Sequence, residues 1–208
     1  MKNFYYNKCR NKLDSIHYAV KITNDDIKSY SLKVALNEAV AMASVSALNE
    51  NNHIVRYHNC WVENRKLHIV MELCNQNLKS YIMEKKSARS FDESMCKKVI
   101  HDICQALSHI HKEKIVHLDI KPDNILLSKN NRFKLTDLGL TRLTYRQKGE
   151  DIQEGDCRYM APELLQEYFG TGDFDECKND LTKADIFSLG ATIYEFMIGQ
   201  VLPKNGEK

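Results

Sequence analysis

The stretch VHLDIKPDN, residues 116–124, places a histidine, two aspartates, a lysine and an asparagine between apolar neighbours. Pro122 excludes a regular helix here, because proline has no N–H to donate and its ring clashes with the preceding turn. Asp119 and Asn124 stand five residues apart with Lys121 between them, so a loop at this point can bring three polar side chains together. A turn rich in Asp, Asn and Pro with ordinary capping roles explains the stretch by itself, and that alternative stays open here.

A second polar group follows thirteen residues after Asn124, in the tripeptide DLG at 137–139. Asp137 follows an apolar strand pattern, and Gly139 is expected to permit a left-handed backbone. Phosphoryl transfer needs an orienting base for the acceptor hydroxyl, a cation near the transferred group and oxygen ligands for magnesium. The residues that together supply these groups are Asp119, Lys121, Asn124 and Asp137. The two stretches in this order predict a phosphoryl-transfer site.

Strand patterns dominate the first part of the chain. HYAVKIT, residues 17–23, alternates apolar and polar residues. VRYHNCWVENRKLHIVMEL, residues 55–73, is rich in β-branched and aromatic residues and predicts two strands joined at Asn64-Arg65. Residues 31–49, between these regions, repeat apolar residues at helical spacing and place Glu38 on a helix.

Helical spacing dominates after residue 75. The segment 91–114 carries a long apolar stripe, with Asp92 as its expected N-cap. Two short strands, ILL at 125–127 and FKLTDL at 133–138, interrupt the helices. We therefore predict a strand-rich part over residues 1–74 and a mainly helical part over residues 75–208.

Lys21 lies on the strand predicted over 17–23, and Glu38 lies on the helix that follows it. Each has an ordinary explanation, since a lysine in an alternating strand and a glutamate in an alanine-rich helix usually face solvent. A lysine on a strand and a glutamate on the next helix can instead meet as an ion pair that directs the ammonium towards phosphate. The geometry of the fold decides between these two interpretations.

Composition indicates a globular chain without a general affinity for nucleic acid or membranes. The 208 residues are 43% hydrophobic, and 30 basic against 28 acidic residues leave a net charge of +2. The seven cysteines are odd in number and lack metal-ligand spacing, which favours a reducing, intracellular compartment. The longest apolar stretch, 186–198, contains Ser, Gly, Thr and Glu, so we predict a buried helix and no transmembrane segment.

The motifs AVK at 19–21, Glu38, HLDIKPDN at 117–124, DLG at 137–139 and APE at 161–163 together resemble the eukaryotic protein kinase family. Several independent motifs in the correct order are specific. Within that family the chain is most similar to the Wee-type inhibitory kinases of the cell cycle. The stretches that carry this closer similarity are NEAVAMASVSALNENNHIVRYHNCWVEN, EGDCRYMAPELLQ, KADIFSLG and LPKNGE, and the Myt branch shares much of the second.

The resemblance implies an α+β fold with two lobes, an N-lobe over 1–74 and a C-lobe over 75–208, with ATP and Mg²⁺ as cofactors. It implies that Asp119 acts on the acceptor hydroxyl and that Lys121 contacts the transferring phosphate. The other site residues that it implies are Lys21 paired with Glu38 at the nucleotide phosphates, Met71 as gatekeeper, Glu72 to Cys74 as the adenine-binding hinge, and Asn124 with Asp137 at magnesium. Asp185 is expected to anchor the loop that carries Asp119.

The expected substrate is a tyrosine of a cyclin-dependent kinase, which is inhibited by the modification. The resemblance implies that EGD at 154–156, together with CRYM at 157–160, shapes the floor on which this substrate lies. Lys121, two residues after Asp119, is by itself the pattern of kinases that modify serine and threonine, so a Ser/Thr kinase of another branch is the first alternative. A scaffold without catalysis is the second alternative, although a scaffold has no chemical need for the four polar residues named above. We expect a monomer located in the nucleus or cytoplasm.

Three departures from the family pattern are visible. The first glycine of the chain is Gly139, so the glycine-rich loop of the family is not present, and the chain stops soon after the helix that carries Asp185. We therefore expect the kinase fold to be truncated at both ends, without the final helices of the C-lobe. Leu118 stands where many kinases carry an arginine before the catalytic aspartate. The resemblance therefore predicts activity that does not depend on phosphorylation between Asp137 and Glu163.

Overall fold

The computed structural model describes residues 4–24, 36, 38–45, 52–86, 92–143, 155–168 and 180–203. Its first part is an antiparallel sheet of four strands in the order β1-β2-β4-β3. The strands are β1 (Phe4–Arg10), β2 (His17–Thr23), β3 (Tyr57–Glu63) and β4 (Lys66–Glu72). The predicted strands over 17–23 and 55–73 are thereby confirmed.

The turn between β3 and β4 lies at the predicted place. Asn64 and Arg65 both have left-handed backbone angles, with φ values of 49° and 58°. Two consecutive residues with positive φ form the type I′ turn, whose twist matches that of the flanking strands. Asparagine tolerates this conformation better than most residues, which is why the sequence identified the turn.

A helix packs against the inner face of this sheet. Its described residues, 38–45, form α1, whereas the remainder of the helix predicted over 31–49 lies outside the described residues apart from residue 36, which is also helical. Ala39, Met42 and Val45 are buried at helical spacing and belong to the same core as Leu67 and Ile69 of β4. This packing brings the first turn of α1 next to β2.

Helices form most of the second part of the chain. They are α2 (Leu78–Lys86), α3 (Glu93–Lys112), α4 (Pro162–Tyr168) and α5 (Thr182–Ile198). Asp92 caps α3 as predicted, because its Oδ1 accepts a hydrogen bond of 3.0 Å from the Met95 N–H. Among the described residues, no helix has both the length and the apolar character needed to cross a bilayer.

Short strands in the second part of the chain form two further small sheets. They are β5 (Gln76–Asn77), β6 (Ile115–Val116), β7 (Ile125–Leu127), β8 (Phe133–Leu135) and β9 (Arg142–Leu143). The predicted strand over 133–138 is real but ends at Leu135. Leu135 donates its N–H to His53 O at 2.8 Å and accepts from the Val55 N–H at 2.9 Å, so the two parts of the chain are bonded together. The division between residues 74 and 75 stays a prediction.

Candidate active site

The loop that carries Asp119 converges as the sequence predicted. The Lys121 Nζ donates to both carboxylate oxygens of Asp119 at 2.7 Å, and the Asn124 Nδ2 donates to Oδ2 at 2.7 Å. The same amide also donates to the Asp119 backbone carbonyl at 2.8 Å. Pro122 begins a single 3₁₀ turn over Pro122–Asn124, which folds Asn124 back onto Asp119. The carboxylate is thus held in one orientation by two donors.

The loop is anchored from below by α5. Asp185 is fully buried, and its carboxylate accepts hydrogen bonds from the backbone N–H of His117 at 2.9 Å and of Leu118 at 2.8 Å. The His111 Nε2 lies 2.8 Å from the same carboxylate. Leu118 has a φ of 63°, a conformation that is costly for a side chain of this size. The contacts of Asp185 therefore hold the backbone next to Asp119 in a strained but defined conformation, which confirms the expected anchor.

Lys21, Glu38 and Asp137 meet inside the protein, although they are far apart in the sequence. The Lys21 Nζ lies 2.7 and 2.8 Å from the two carboxylate oxygens of Glu38 and 3.0 Å from Asp137 Oδ1. Lys21 is only 2% exposed and Glu38 is 3% exposed, so neither faces solvent. The predicted ion pair is therefore confirmed, and the interpretation of these residues as solvent-facing is wrong.

Charge within this cluster is set by burial and by mutual attraction. Burial disfavours the Lys21 ammonium, but Glu38 and Asp137 outweigh it and raise the pKa of Lys21 above its ordinary value. Burial raises the pKa of Glu38 to about 7, against the opposing effect of Lys21. Burial also acts to raise the pKa of Asp137, but Lys21 and nearby cations hold it below its usual range. Lys21 is thus a permanent cation between two carboxylates.

The backbone at DLG differs from the expectation. The left-handed residue is Asp137, with φ at 67°, and not Gly139. Gly139 matters for a different reason, since a Cβ at this position would make a tight contact of 3.2 Å with Asp137 Oδ1 and would lie 3.7 Å from Glu38 Oε2. The glycine therefore leaves space for the two carboxylates that surround Lys21.

A cleft of about 510 Å³ lies beside these residues. Six of the nine predicted site residues line it: Met71, Glu72, Cys74, Lys121, Asn124 and Asp137. Lys21 and Glu38 lie beneath its surface, and Asp119 lies behind Lys121 and Asn124 rather than in the lining. Within the described part of the chain, the Cys74 backbone forms no hydrogen bond, whereas the Glu72 N–H donates to Arg56 O. Cys74 thus has a free backbone donor and acceptor for a ligand.

The protein kinase domain pattern matches residues 6–208 of this sequence. The chain belongs to the protein kinase family. It is 37% identical over 199 residues to a Wee1-like protein kinase of Arabidopsis thaliana, in a match that covers 95% of this chain and 36% of the relative. It is 33% identical over 201 residues to the membrane-associated tyrosine- and threonine-specific cdc2-inhibitory kinase wee-1.3 of Caenorhabditis elegans, covering 96% of this chain and 27% of the relative.

The kinase fold is confirmed by a solved structure. A crystal structure of another kinase domain superposes with a TM-score of 0.81 at 23% identity, covering all of this chain and 64% of the other. At that identity the likeness concerns the fold alone. The kinase chain spans about a third of the length of the Arabidopsis relative and less of the Caenorhabditis one.

Two ion pairs add four side chains to the lining of the kinase cleft, and the resemblance had pointed only to the segment that holds the first pair. Asp156 and Arg158 form an ion pair, with the Arg158 Nε 2.8 Å from Asp156 Oδ1, and both line the cleft. Lys79 and Asp123 form a second pair in the same lining, with Nζ 3.0 Å from Oδ2. EGD at 154–156 and CRYM at 157–160, the stretches expected to shape the substrate floor, were the signal for the first pair, although the pairing itself was not predicted. No pattern connects Lys79 with Asp123, because they come from separate elements.

An aromatic ring of β1 covers the buried lysine of this kinase. Phe4 and Tyr6 both line the cleft, as residues of one strand face two positions apart. The Lys21 Nζ lies 4.2 Å from the centre of the Phe4 ring, which is a cation–π contact. This contact explains why Lys21 is inaccessible although it lies so close to the cleft.

The oxygen atoms of this kinase cleft fit the expected magnesium ion. Asn124 uses its Nδ2 for Asp119, which leaves its Oδ1 as the free atom of the amide. Asp137 uses Oδ1 for Lys21, and its second oxygen has no protein donor among the described residues. Amide and carboxylate oxygens are ligands that Mg²⁺ prefers, and both residues line one cleft. Asn124 and Asp137 would therefore hold the ion.

Proposed function

We propose that this kinase domain transfers the γ-phosphate of ATP to a hydroxyl group of a protein. The observation that carries the proposal is the single cleft lined by Lys121, Asn124 and Asp137, with Asp119 held directly behind the first two. A scaffold would not need this arrangement. The spatial convergence therefore supports an enzyme.

The roles of the side chains follow from their surroundings. When bound, ATP supplies the phosphoryl group and Mg²⁺ neutralises charge on its oxygens. Asp119 orients the acceptor hydroxyl and takes its proton, while Lys121 places a positive charge where the transferred group passes. Lys21 can reach the nucleotide phosphates only after the Phe4 ring moves aside, because that ring now covers its ammonium.

The proposed substrate is a tyrosine of a cyclin-dependent kinase, with inhibition as the outcome. The name of the Caenorhabditis relative describes a tyrosine- and threonine-specific kinase that inhibits cdc2. A phenol carries its hydroxyl farther from the backbone than serine does, so a tyrosine substrate requires a floor set away from Asp119. The paired side chains of Asp156 and Arg158 are suited to form that floor. Action on a cell-cycle regulator is consistent with a nuclear or cytoplasmic location.

Modification of serine or threonine is the second candidate. The observation that favours it is the contact between Lys121 and both oxygens of Asp119, since a lysine at this place suits a short hydroxyl-bearing side chain. The proposal for tyrosine rests instead on similarity over most of the chain.

Phosphoamino-acid analysis separates the candidates. A protein that contains this domain is incubated with ATP, Mg²⁺ and a cyclin-dependent kinase, and the product is hydrolysed. Phosphotyrosine is the expected product, and phosphoserine or phosphothreonine alone would assign the second candidate.

Asp119→Asn should lower the turnover by at least a thousandfold while nucleotide affinity changes little, because the residue acts on the acceptor. Equal turnover of wild type and Asp119→Asn would exclude the enzyme.

A further inference from the structure

A second cavity, of about 360 Å³, adjoins the hinge. It shares Glu72 and Leu73 with the nucleotide cleft and no other lining residue. Both parts of the fold contribute to it, because Arg56 and His58 come from the sheet region and Lys129 and Lys134 come from the β7–β8 turn and β8. We call this cavity the basic pocket; its remaining lining residues are Ile16, His17, Tyr18, Asn52 and Asn130.

Positive charge exceeds negative charge in the basic pocket. Arg56, Lys129 and Lys134 face a single lining carboxylate, Glu72. Lys134 is only 8% exposed, and its Nζ lies 2.6 Å from Glu72 Oε2, so these two charges neutralise each other. No carboxylate among the described residues forms an ion pair with Arg56 or Lys129. The pocket therefore has two free cations.

The polar groups around these cations are mostly donors or groups that can become donors. Asn52 and Asn130 carry side-chain amides, and His17 and His58 carry imidazoles. A further carboxylate, that of Asp14, does not line the pocket and accepts a hydrogen bond of 2.8 Å from the hydroxyl of Tyr18, which does. A guanidinium fork, an ammonium and neutral donors in one concave site match a phosphate group better than a single carboxylate, because phosphate offers more acceptor oxygens and more charge.

The size of the basic pocket bears on the kind of phosphate. Its volume is about twelve times the ~30 Å³ that one water molecule occupies in the liquid. This space accommodates a phosphorylated side chain with part of its backbone, and a free phosphate ion would leave much of it filled with water. We propose that the basic pocket binds a phosphate monoester carried by a peptide chain.

Occupation of the pocket has a consequence for the cleft. A phosphate that contacts Arg56 and Lys129 joins the sheet to the β7–β8 turn across the hinge, and it competes with Glu72 for Lys134. Glu72 lines both cavities, so the ligand changes the surroundings of a hinge residue on which the nucleotide site also depends. Because linkage is reciprocal, nucleotide and phosphopeptide should alter each other's affinity by the same factor.

Binding is tested on the whole chain by fluorescence anisotropy with a labelled pentapeptide that has a central phosphoserine between glycines. The unphosphorylated peptide and inorganic phosphate, added as a competitor, are the comparison ligands. We expect the phosphopeptide to bind at least tenfold more tightly than either. Arg56→Gln and Lys129→Gln should each weaken phosphopeptide binding by about tenfold, which is the loss expected for one charge-assisted contact.

The matched controls are Lys97→Gln and Lys183→Gln, which remove exposed lysines of α3 and α5 that do not line the pocket. Both should leave the affinity unchanged. Equal affinity for the two peptides, or an equal loss in control and pocket variants, would overturn the proposal. Inorganic phosphate binding as tightly as the phosphopeptide would exclude a peptide-borne ligand. None of the four substituted side chains is a residue proposed for catalysis.

Discussion

Removal of one negative charge from Asp185 tests whether this residue holds the loop at Asp119. The substitution Asp185→Asn keeps the size of the side chain but replaces one carboxylate oxygen by an NH₂ group. In the wild type each oxygen accepts from a different backbone N–H, that of His117 on one side and that of Leu118 on the other. The amide can accept from only one of them, so the other N–H faces a second donor.

The magnitude follows from these contacts. A hydrogen bond to a charged group contributes about 1.5–3 kcal/mol, and an unsatisfied buried donor costs about 1–3 kcal/mol. Asp185 is fully buried, so water cannot replace the lost acceptor. The two ranges describe the same lost contact and do not add, so we expect Asp185→Asn to lower the free energy of unfolding by about 2–3 kcal/mol. Some relaxation of Leu118 from its left-handed backbone would offset part of this loss, by about 1 kcal/mol.

Urea denaturation of wild type and variant measures this difference in the free energy of unfolding, provided that the free energy falls with urea concentration at the same slope in both. Asp180→Asn is the matched control, because Asp180 is exposed, precedes the same helix and accepts from the Thr182 N–H at 3.0 Å. The control should cost about 1 kcal/mol or less. A loss below about 0.5 kcal/mol for Asp185→Asn, or a loss equal to that of the control, would refute the anchoring role.

Gly139→Ala should weaken binding of magnesium and nucleotide by about threefold to tenfold, measured by calorimetry, because the added Cβ displaces the Asp137 carboxylate; unchanged affinity would contradict the close approach. Burial alone would raise the pKa of Asp102, but the Phe133 N–H and nearby cations hold it below its usual range. A depressed folded-state pKa stabilises the fold above the pKa of the unfolded chain, near 4, and this contribution is lost as the pH falls through the folded-state value. The stability difference between wild type and Asp102→Asn should thus be constant above about pH 5 and shrink in acid, and urea titrations showing a difference independent of pH would contradict this. Phosphatase treatment should leave turnover intact, since Leu118 cannot bind a phosphate on the activation segment; loss of turnover would show that a phosphate is needed.

Local signals predicted much of the secondary structure. The Asp92 cap and the Asn64-Arg65 turn depend on residues within a few positions of each other, and both are found as predicted. The loop around Asp119 is also a local feature, because Pro122 restricts the backbone between Asp119 and Asn124. Its predicted convergence needed no information from elsewhere in the chain.

The sequence alone determined which chemical groups the site contains and in what order they occur, since residue type and short-range spacing are properties of the chain itself. Only the tertiary structure decided that Lys21 and Glu38 are buried together with Asp137, and that Asp137 rather than Gly139 takes the left-handed backbone. It also decided that Phe4 covers the lysine. These outcomes depend on packing between distant segments, and Lys21 and Asp137 are more than a hundred residues apart in the sequence. Burial and the attraction between charges set the conformation with the lowest free energy there, and local propensity does not.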